Sequence, residues 1–245
     1  MINILIPSMG KSMFFKDSFF PKPLIEIEGK TILERLIENY DSLNNKRFIF
    51  VFDKKDCLEF HLDDSAKILA DPNLSIISLE NQTKGALCTC LMAIEYINNE
   101  EPLIIANCDQ TLEVDYAEVV DYFRNENDTA GVITFDSVHP RWSYAKIRDG
   151  YVVETAEKRP LSKHAIAGVY YFEHGHDFIE AAKKTILKEN QINGAYYISS
   201  SINEVILSGA RVGFYEVSRE RYNSFYSPEK IKEYEDKIRK KNEVF

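Results

Sequence analysis

Residues Ile2-Asn3-Ile4-Leu5-Ile6 run directly into Pro7-Ser8-Met9-Gly10-Lys11-Ser12. A short, β-rich apolar run of this kind has the pattern of a strand buried on both faces. The proline and small residues after it end the strand, which is read as Ile2 to Ile6. Beyond lies Phe20-Pro21-Lys22-Pro23-Leu24-Ile25-Glu26-Ile27-Glu28-Gly29-Lys30-Thr31. A buried strand feeding a small-residue loop and a fixed lysine is how an α/β protein offers backbone N–H groups and a cation to a phosphate.

Outward from this stretch the alternation repeats. Thr31 with Glu34 forms a capping box for a helix whose Ile32, Leu33, Leu36, Ile37 and Tyr40 share a face. Arg47 to Phe52 is a second buried strand ending at Asp53, and Asp56 to Ala70 reads as one helix. Leu74 to Leu79 is a third strand. Asn81-Gln82-Thr83-Lys84-Gly85-Ala86 connects it to a helix from Ala86 to Ile97. Leu103 to Ala106 is a fourth strand, running straight into Asn107-Cys108-Asp109-Gln110. Apolar strands alternating with helices predict a mostly parallel central sheet covered on both faces. Ligands on such sheets bind outside the carboxyl ends of the strands. Here those ends are Pro7 to Gly10, Asp53, Glu80 to Gln82, and Asn107 to Asp109, all polar or small and all on one rim.

The second half predicts a mixed sheet. Asp115 to Asn125 is a helix and Gly131 to Phe135 a strand. Ser143 to Arg148 and Tyr151 to Ala156 alternate around Asp149-Gly150, a hairpin signal. Ile166 to Phe172 is a strand, helices follow at Asp177 to Glu189 and Ser199 to Leu207, and Arg211 to Val217 is the last strand. Ser227 and Pro228 open a charged helix to Asn242. The reading is one domain, residues 1–245, with a nucleotide-type half (1–113) and an acceptor half with a C-terminal helix (114–245).

Of the 245 residues 44% are hydrophobic, ample for a packed core, and the net charge is −9. That balance excludes a general nucleic-acid binder, which needs a basic surface, but leaves room for a local basic pocket. The four cysteines, Cys57, Cys88, Cys90 and Cys108, lack zinc spacing and read as core residues in a reducing compartment. No charged region precedes an apolar one at the N-terminus, and no apolar run reaches membrane-spanning length. The expected location is cytoplasmic, without membrane partners; oligomeric state is not readable.

Several residues point to chemistry. Asp109, at the carboxyl end of a buried strand, suits a Mg2+ ligand, or the cap of the next turn. Lys22, clamped by Pro21 and Pro23, is held in an extended loop suited to a phosphate contact. Gly10-Lys11-Ser12 is not a true Walker A, because Ile6 stands where a Gly is required. Gln82 to Ala86 suits a base site, with Gln82 reading the base edge and Gly85 admitting a flat ring, or a plain helix start with Thr83 as cap. Glu157-Lys158 places a lysine for a second phosphate, or in a solvated turn. His139-Pro140-Arg141-Trp142 holds the only tryptophan, which fits a sugar or base platform or the core equally. The five histidines lack metal spacing, and His174-Gly175-His176 reads as a surface turn.

Taken in order, these motifs resemble the sugar-phosphate nucleotidyltransferases, the NDP-sugar pyrophosphorylases of capsule and surface-polysaccharide type. The resemblance runs through Pro21-Lys22-Pro23-Leu24, Gly29-Lys30-Thr31-Ile32-Leu33, Gln82 to Ala86, Asn107-Cys108-Asp109, Glu157-Lys158, Ile166-Ala167-Gly168-Val169-Tyr170, Tyr196-Tyr197-Ile198-Ser199 and Tyr226-Ser227-Pro228-Glu229. It implies a GT-A/Rossmann-like three-layer α/β/α fold. It further implies Mg2+-dependent transfer of NMP from an NTP to a phosphorylated small molecule, a sugar 1-phosphate above all, for surface polysaccharide biosynthesis. By resemblance, Lys22, Asp109 and Lys158 are catalytic, with Asp109 on the metal. Pro7, Ser8, Met9, Gly10, Lys11, Ser12, Gln82, Gly85, Ala86 and Asn107 bind the nucleotide; Glu157, Lys158, Gly168 and Trp142 bind the acceptor. Two departures stand out: the first loop carries no arginine, and the family's late Asp falls near Asn223-Ser224. A GT-A glycosyltransferase using an NDP-sugar, or a non-catalytic nucleotidyltransferase-like binding module, are the alternatives.

Overall fold

A computed structural model describes residues 1–10, 13–70 and 73–242; Lys11 and Ser12 of the expected nucleotide loop lie outside them. Strand β1 (Ile2–Ser8) opens the chain, and β2 (Glu26–Ile27) and β3 (Lys30–Thr31) form a small hairpin ahead of α1 (Ile32–Glu38). Next come β4 (Lys46–Asp53), α2 (Lys54–Phe60), α3 (Leu62–Leu69), β5 (Leu74–Leu79), α4 (Ala86–Leu91), α5 (Ile94–Ile97), β6 (Leu103–Ala106) and β7 (Gln110–Leu112). The rest is α6 (Tyr116–Asn125), β8 (Ala130–Asp136), β9 (Ser143–Arg148), β10 (Tyr151–Glu157), β11 (His164–Phe172), α7 (Gly175–Leu187), α8 (Ile198–Leu207), β12 (Val212–Val217), β13 (Tyr222–Ser224) and α9 (Pro228–Asn242).

Nine strands form one mixed sheet, in the order β10-β9-β11-β6-β1-β4-β5, with β8 on β11 and β12 on β8. Strands β6, β1, β4 and β5 are parallel, so their carboxyl ends share a rim. Strand β11 returns antiparallel to β6 and carries the sheet into the second half. Alternate side chains serve opposite layers. Ile4, Ile6, Phe48, Phe50 and Phe52 pack with α1, α3 and α6, while Leu5, Ile49 and Val51 pack with α4, α5, α7 and α8. This two-sided burial is the expected three-layer α/β/α arrangement, and it explains the unbroken apolar runs.

Several boundaries differ from the sequence reading. Strand β1 continues through Pro7 and Ser8, which pair with Val51 and Phe52. Pairing to β6 ends at Leu5, so Pro7 has a strand on one side only and its missing N–H breaks no ladder there. The helix expected over 56–70 is broken at His61, whose φ of 53° is left-handed. The one expected over 86–97 divides into α4 and α5 around Met92 and Ala93. Lys22 is not extended: Lys22–Leu24 is a 3-10 turn, closed by Leu24 N donating to Pro21 O and Ile25 N to Lys22 O. Proline fits a first helical turn, where its missing N–H is not needed. His174-Gly175-His176 is no free turn but opens α7, with Gly175 set tightly against the Ile97 carbonyl. The expected caps hold: Thr31 accepts from Glu34 N at 3.1 Å, and Asp149-Gly150 has positive φ at both residues, as a type I′ hairpin requires. No described helix is long and apolar enough to cross a membrane.

Candidate active site

At the rim the loops after β1 and β6 meet. The Lys22 ammonium donates to Asp109 Oδ2 at 2.7 Å, with the two side chains 14% and 20% exposed. Burial works against the charge of Lys22, but the hydrogen-bonded Asp109 carboxylate favours it and its pKa lies above the ordinary value. Burial raises the pKa of the Cys108 thiol, so at neutral pH it is uncharged and the carboxylate does the stabilising. Asp109 is fixed from behind, where Phe225 N donates to its carbonyl at 2.8 Å. It caps no helix.

Asn107 links this rim to β11. Its N–H donates to Gly168 O at 3.1 Å and its amide to Gln110 Oε1 at 3.2 Å. Gln110 in turn donates to Ala167 O and accepts from Tyr222 Oη at 3.2 Å. Gly168 is required here: its φ is +67°, and a Cβ would lie 2.1 Å from Asn107 Nδ2. Gln110, buried between β11 and β13, is a positioning residue that sequence reasoning left without a role. Its only signal was a polar residue directly after Asp109.

In the loop after β5 Gln82 is exposed and its amide makes no hydrogen bond among the described residues. Gly85, not Thr83, is the N-cap of α4. Its Cβ direction is filled by the Tyr196 backbone, where a methyl would lie 2.4 Å from the carbonyl oxygen. Gly85 is thus demanded by packing against Tyr196, not by space left for a base. Thr83 Oγ1 donates to Gly85 O at 3.0 Å instead. Ala86 begins α4. Of the described residues from Pro7 to Gly10, Ser8 and Met9 are buried, Pro7 is half-buried and Gly10 is exposed. Met9 belongs to the core beside α4, so any contact there is by backbone.

The third element is the end of β10. Glu157 accepts from Ser143 Oγ and from Ser199 Oγ at 2.9 Å, which ties β9, β10 and α8 together. Lys158 follows with φ 53°, its Nζ 3.1 Å from Tyr197 Oη. That hydrogen bond holds the ammonium's pKa above its ordinary value. Trp142 is no exposed platform: it is half-buried, edge-on to Phe135 at 5.3 Å and Tyr222 at 5.4 Å. Its backbone carbonyl accepts from Lys158 N at 3.0 Å.

The late strand β13 runs antiparallel to β7, with Ser224 opposite Gln110. Asn223 is committed elsewhere, donating to Glu113 and Thr111 and accepting from Lys237 at 2.8 Å. No group of three or more His, Cys, Asp or Glu able to hold a metal occurs among the described residues. The donor set is one carboxylate, Asp109. That suits Mg2+, which keeps several waters and binds through one or two carboxylates and substrate phosphates.

The profile of the MobA-like NTP transferase domain matches residues 8–170, roughly two thirds of the chain, from the end of β1 into β11. The chain belongs to this family. The span of the match holds Lys22, Gln82, Asp109 and Lys158. The bifunctional protein GlmU of Methanococcus aeolicus is 25% identical over 210 residues, covering 78% of this chain and 48% of that protein. The chain thus spans about half the length of this curated relative. Among solved structures, the nucleoside-diphosphate-sugar pyrophosphorylase of Vibrio cholerae RC9 has a TM-score of 0.78 at 20% identity, over 96% of this chain and 100% of that one. A Bacillus anthracis protein provisionally assigned as a glucose-1-phosphate thymidylyltransferase, solved with sucrose, has 0.76 at 16%, over 96% and 94%. These two structures share the fold of this chain.

Proposed function

We propose that this NTP transferase moves a nucleotidyl group from an NTP to a phosphorylated small molecule, specifically a sugar 1-phosphate, and releases pyrophosphate. The observation that carries the reading is the Lys22–Asp109 pair at the carboxyl end of the parallel strands, with a second buttressed cation, Lys158, at the end of β10.

An oxygen of the acceptor phosphate attacks the α-phosphorus in line, one P–O bond forms, and the bond to the pyrophosphate leaving group breaks. No protein nucleophile is needed, so catalysis rests on positioning and charge neutralisation. Lys22 balances charge on the triphosphate. The backbone after β1 cradles it, and Gln82 reads the base edge. Lys158 holds the acceptor phosphate, aligned by Glu157 and Tyr197. Asp109 would hold a Mg2+, which would supply further charge neutralisation on the phosphates. The wider role, supply of activated sugars for surface polysaccharide in the cytoplasm, is part of the same proposal and rests on the sequence resemblance alone.

The test is pyrophosphate release with Mg2+, crossing the common NTPs against sugar 1-phosphates and other small phosphate esters. Release that requires one NTP and one acceptor together supports the reading and names both substrates. No release, with an NDP-sugar alone raising the melting temperature, would move the assignment to a glycosyltransferase or binding module.

A further inference from the structure

Arg141 stands in the turn between β8 and β9 with its guanidinium between two aromatic rings, 4.1 Å from the centre of Trp142 and 4.5 Å from that of Tyr226. The turn is pinned: Arg141 N donates to His139 Nδ1 at 3.3 Å, and Tyr144 Oη to the His139 carbonyl at 2.6 Å. Arg141 Nε is buried and has no hydrogen-bond partner among the described residues. Four buried side-chain polar atoms among the described residues share that condition, and this is the only one on a permanently charged group. Nor does Arg141 form an ion pair with any described carboxylate. Stacking satisfies the faces of a guanidinium but not the N–H groups in its plane, and a buried donor left unpaired costs about 1–3 kcal/mol. An anion lying in that plane would remove the cost.

The neighbours say which anion. Tyr226 touches Phe14, in the loop after β1, with ring centres 5.5 Å apart. It also follows Phe225, whose N–H holds the Asp109 carbonyl. Arg141 therefore stands where the first loop meets the Asp109 loop. The acceptor side already has its own cation, Lys158, paired with Tyr197. The first loop contains no arginine, and its lysines offer a triphosphate point charges rather than a planar fork.

We propose that Arg141 binds the phosphates of the NTP that leave as pyrophosphate, through its in-plane N–H groups. This rests on the transferase reading given above. The stacking rings fix the fork's orientation before substrate arrives, which lowers the ordering cost of a bidentate contact.

The test is calorimetric titration of the full chain with magnesium pyrophosphate, beside steady-state kinetics with each substrate varied. Arg141→Gln should weaken pyrophosphate binding about 10–100-fold, the loss expected for charge-assisted hydrogen bonds. Arg141→Lys keeps the charge and tolerates the stack, and it too should bind at least about tenfold more weakly, because a point charge cannot replace the fork. KM for the acceptor should not move. Pyrophosphate affinity unchanged in the folded Arg141→Lys protein would overturn the proposal, as would a loss confined to the acceptor. Wild-type turnover reports separately on the transferase reading, so the two ideas fail by different measurements.

Discussion

The Nζ of Lys22 lies 2.7 Å from Oδ2 of Asp109, so one ion pair joins two loops 87 residues apart in sequence. Both side chains are largely buried. Lys22→Ala and Asp109→Ala should each lower turnover by at least about 100-fold, the scale for removing a preorganised charge from a transition state. Both should stay folded. Asp109→Ala is the less stable of the two, by roughly 1–3 kcal/mol, since it leaves a buried ammonium unpaired. Rates and thermal melts on both variants check this; near-wild-type turnover in either would remove the pair from the mechanism.

The acceptor side should separate cleanly from the nucleotide side. Lys158→Ala is expected to raise KM for the phosphorylated acceptor about tenfold or more, the loss of one charge-assisted contact. KM for the NTP should change little. Glu157→Gln keeps shape but weakens the clasp on Ser143 and Ser199, so it should move the same constant by less. An effect on the NTP constant instead would reassign Lys158.

Three glycines give a graded stability series. Gly85→Ala drives a methyl into the Tyr196 backbone, and Gly168→Ala drives one into Asn107, both at positive φ. Each should cost more than about 1 kcal/mol from backbone strain alone. Gly10→Ala meets nothing within 4 Å and should be nearly neutral in stability. Denaturant unfolding of the three variants ranks them.

Glu113 predicts a pH dependence. Burial opposes its charge, but Lys237, Lys241 and Asn223 more than compensate and pull its carboxyl down to about 2. An acid with a depressed folded pKa contributes stability above its unfolded value, about 4.3, and loses it as pH falls toward the folded one. The melting-temperature gap between wild type and Glu113→Gln should be full at neutral pH and close between about pH 4.5 and 2. A gap that persists at the acid end would exclude the linkage.

The parallel half of the fold was legible because two-sided burial writes unbroken apolar runs such as Phe48 to Phe52. Strands β7 and β13 were not, because three residues such as Tyr222-Asn223-Ser224 carry no period. They nonetheless set the back wall of the Asp109 loop. The break at His61 was equally silent, with no glycine or proline to mark it. Candidate site positions could be nominated where a distinctive residue follows shortly after a strand end, as at Asp109, Gln82 and Lys158. The neighbourhood of Arg141 was not, because Tyr226 reaches it from 85 residues further along the chain.

The pairing of β1 has a consequence for how the chain is made. Residues Asn3 to Leu5 need β4 on one side and β6, at Leu103 to Ile105, on the other. A ribosome must add about a hundred residues before the second edge can close. Until then a fully apolar strand has one edge open, an invitation to pair with other chains. Non-local parallel pairing is also slow to form. Strand β1 therefore waits for β6 before its second edge is covered, and synthesis rate and chaperone supply should bear on the yield of folded protein.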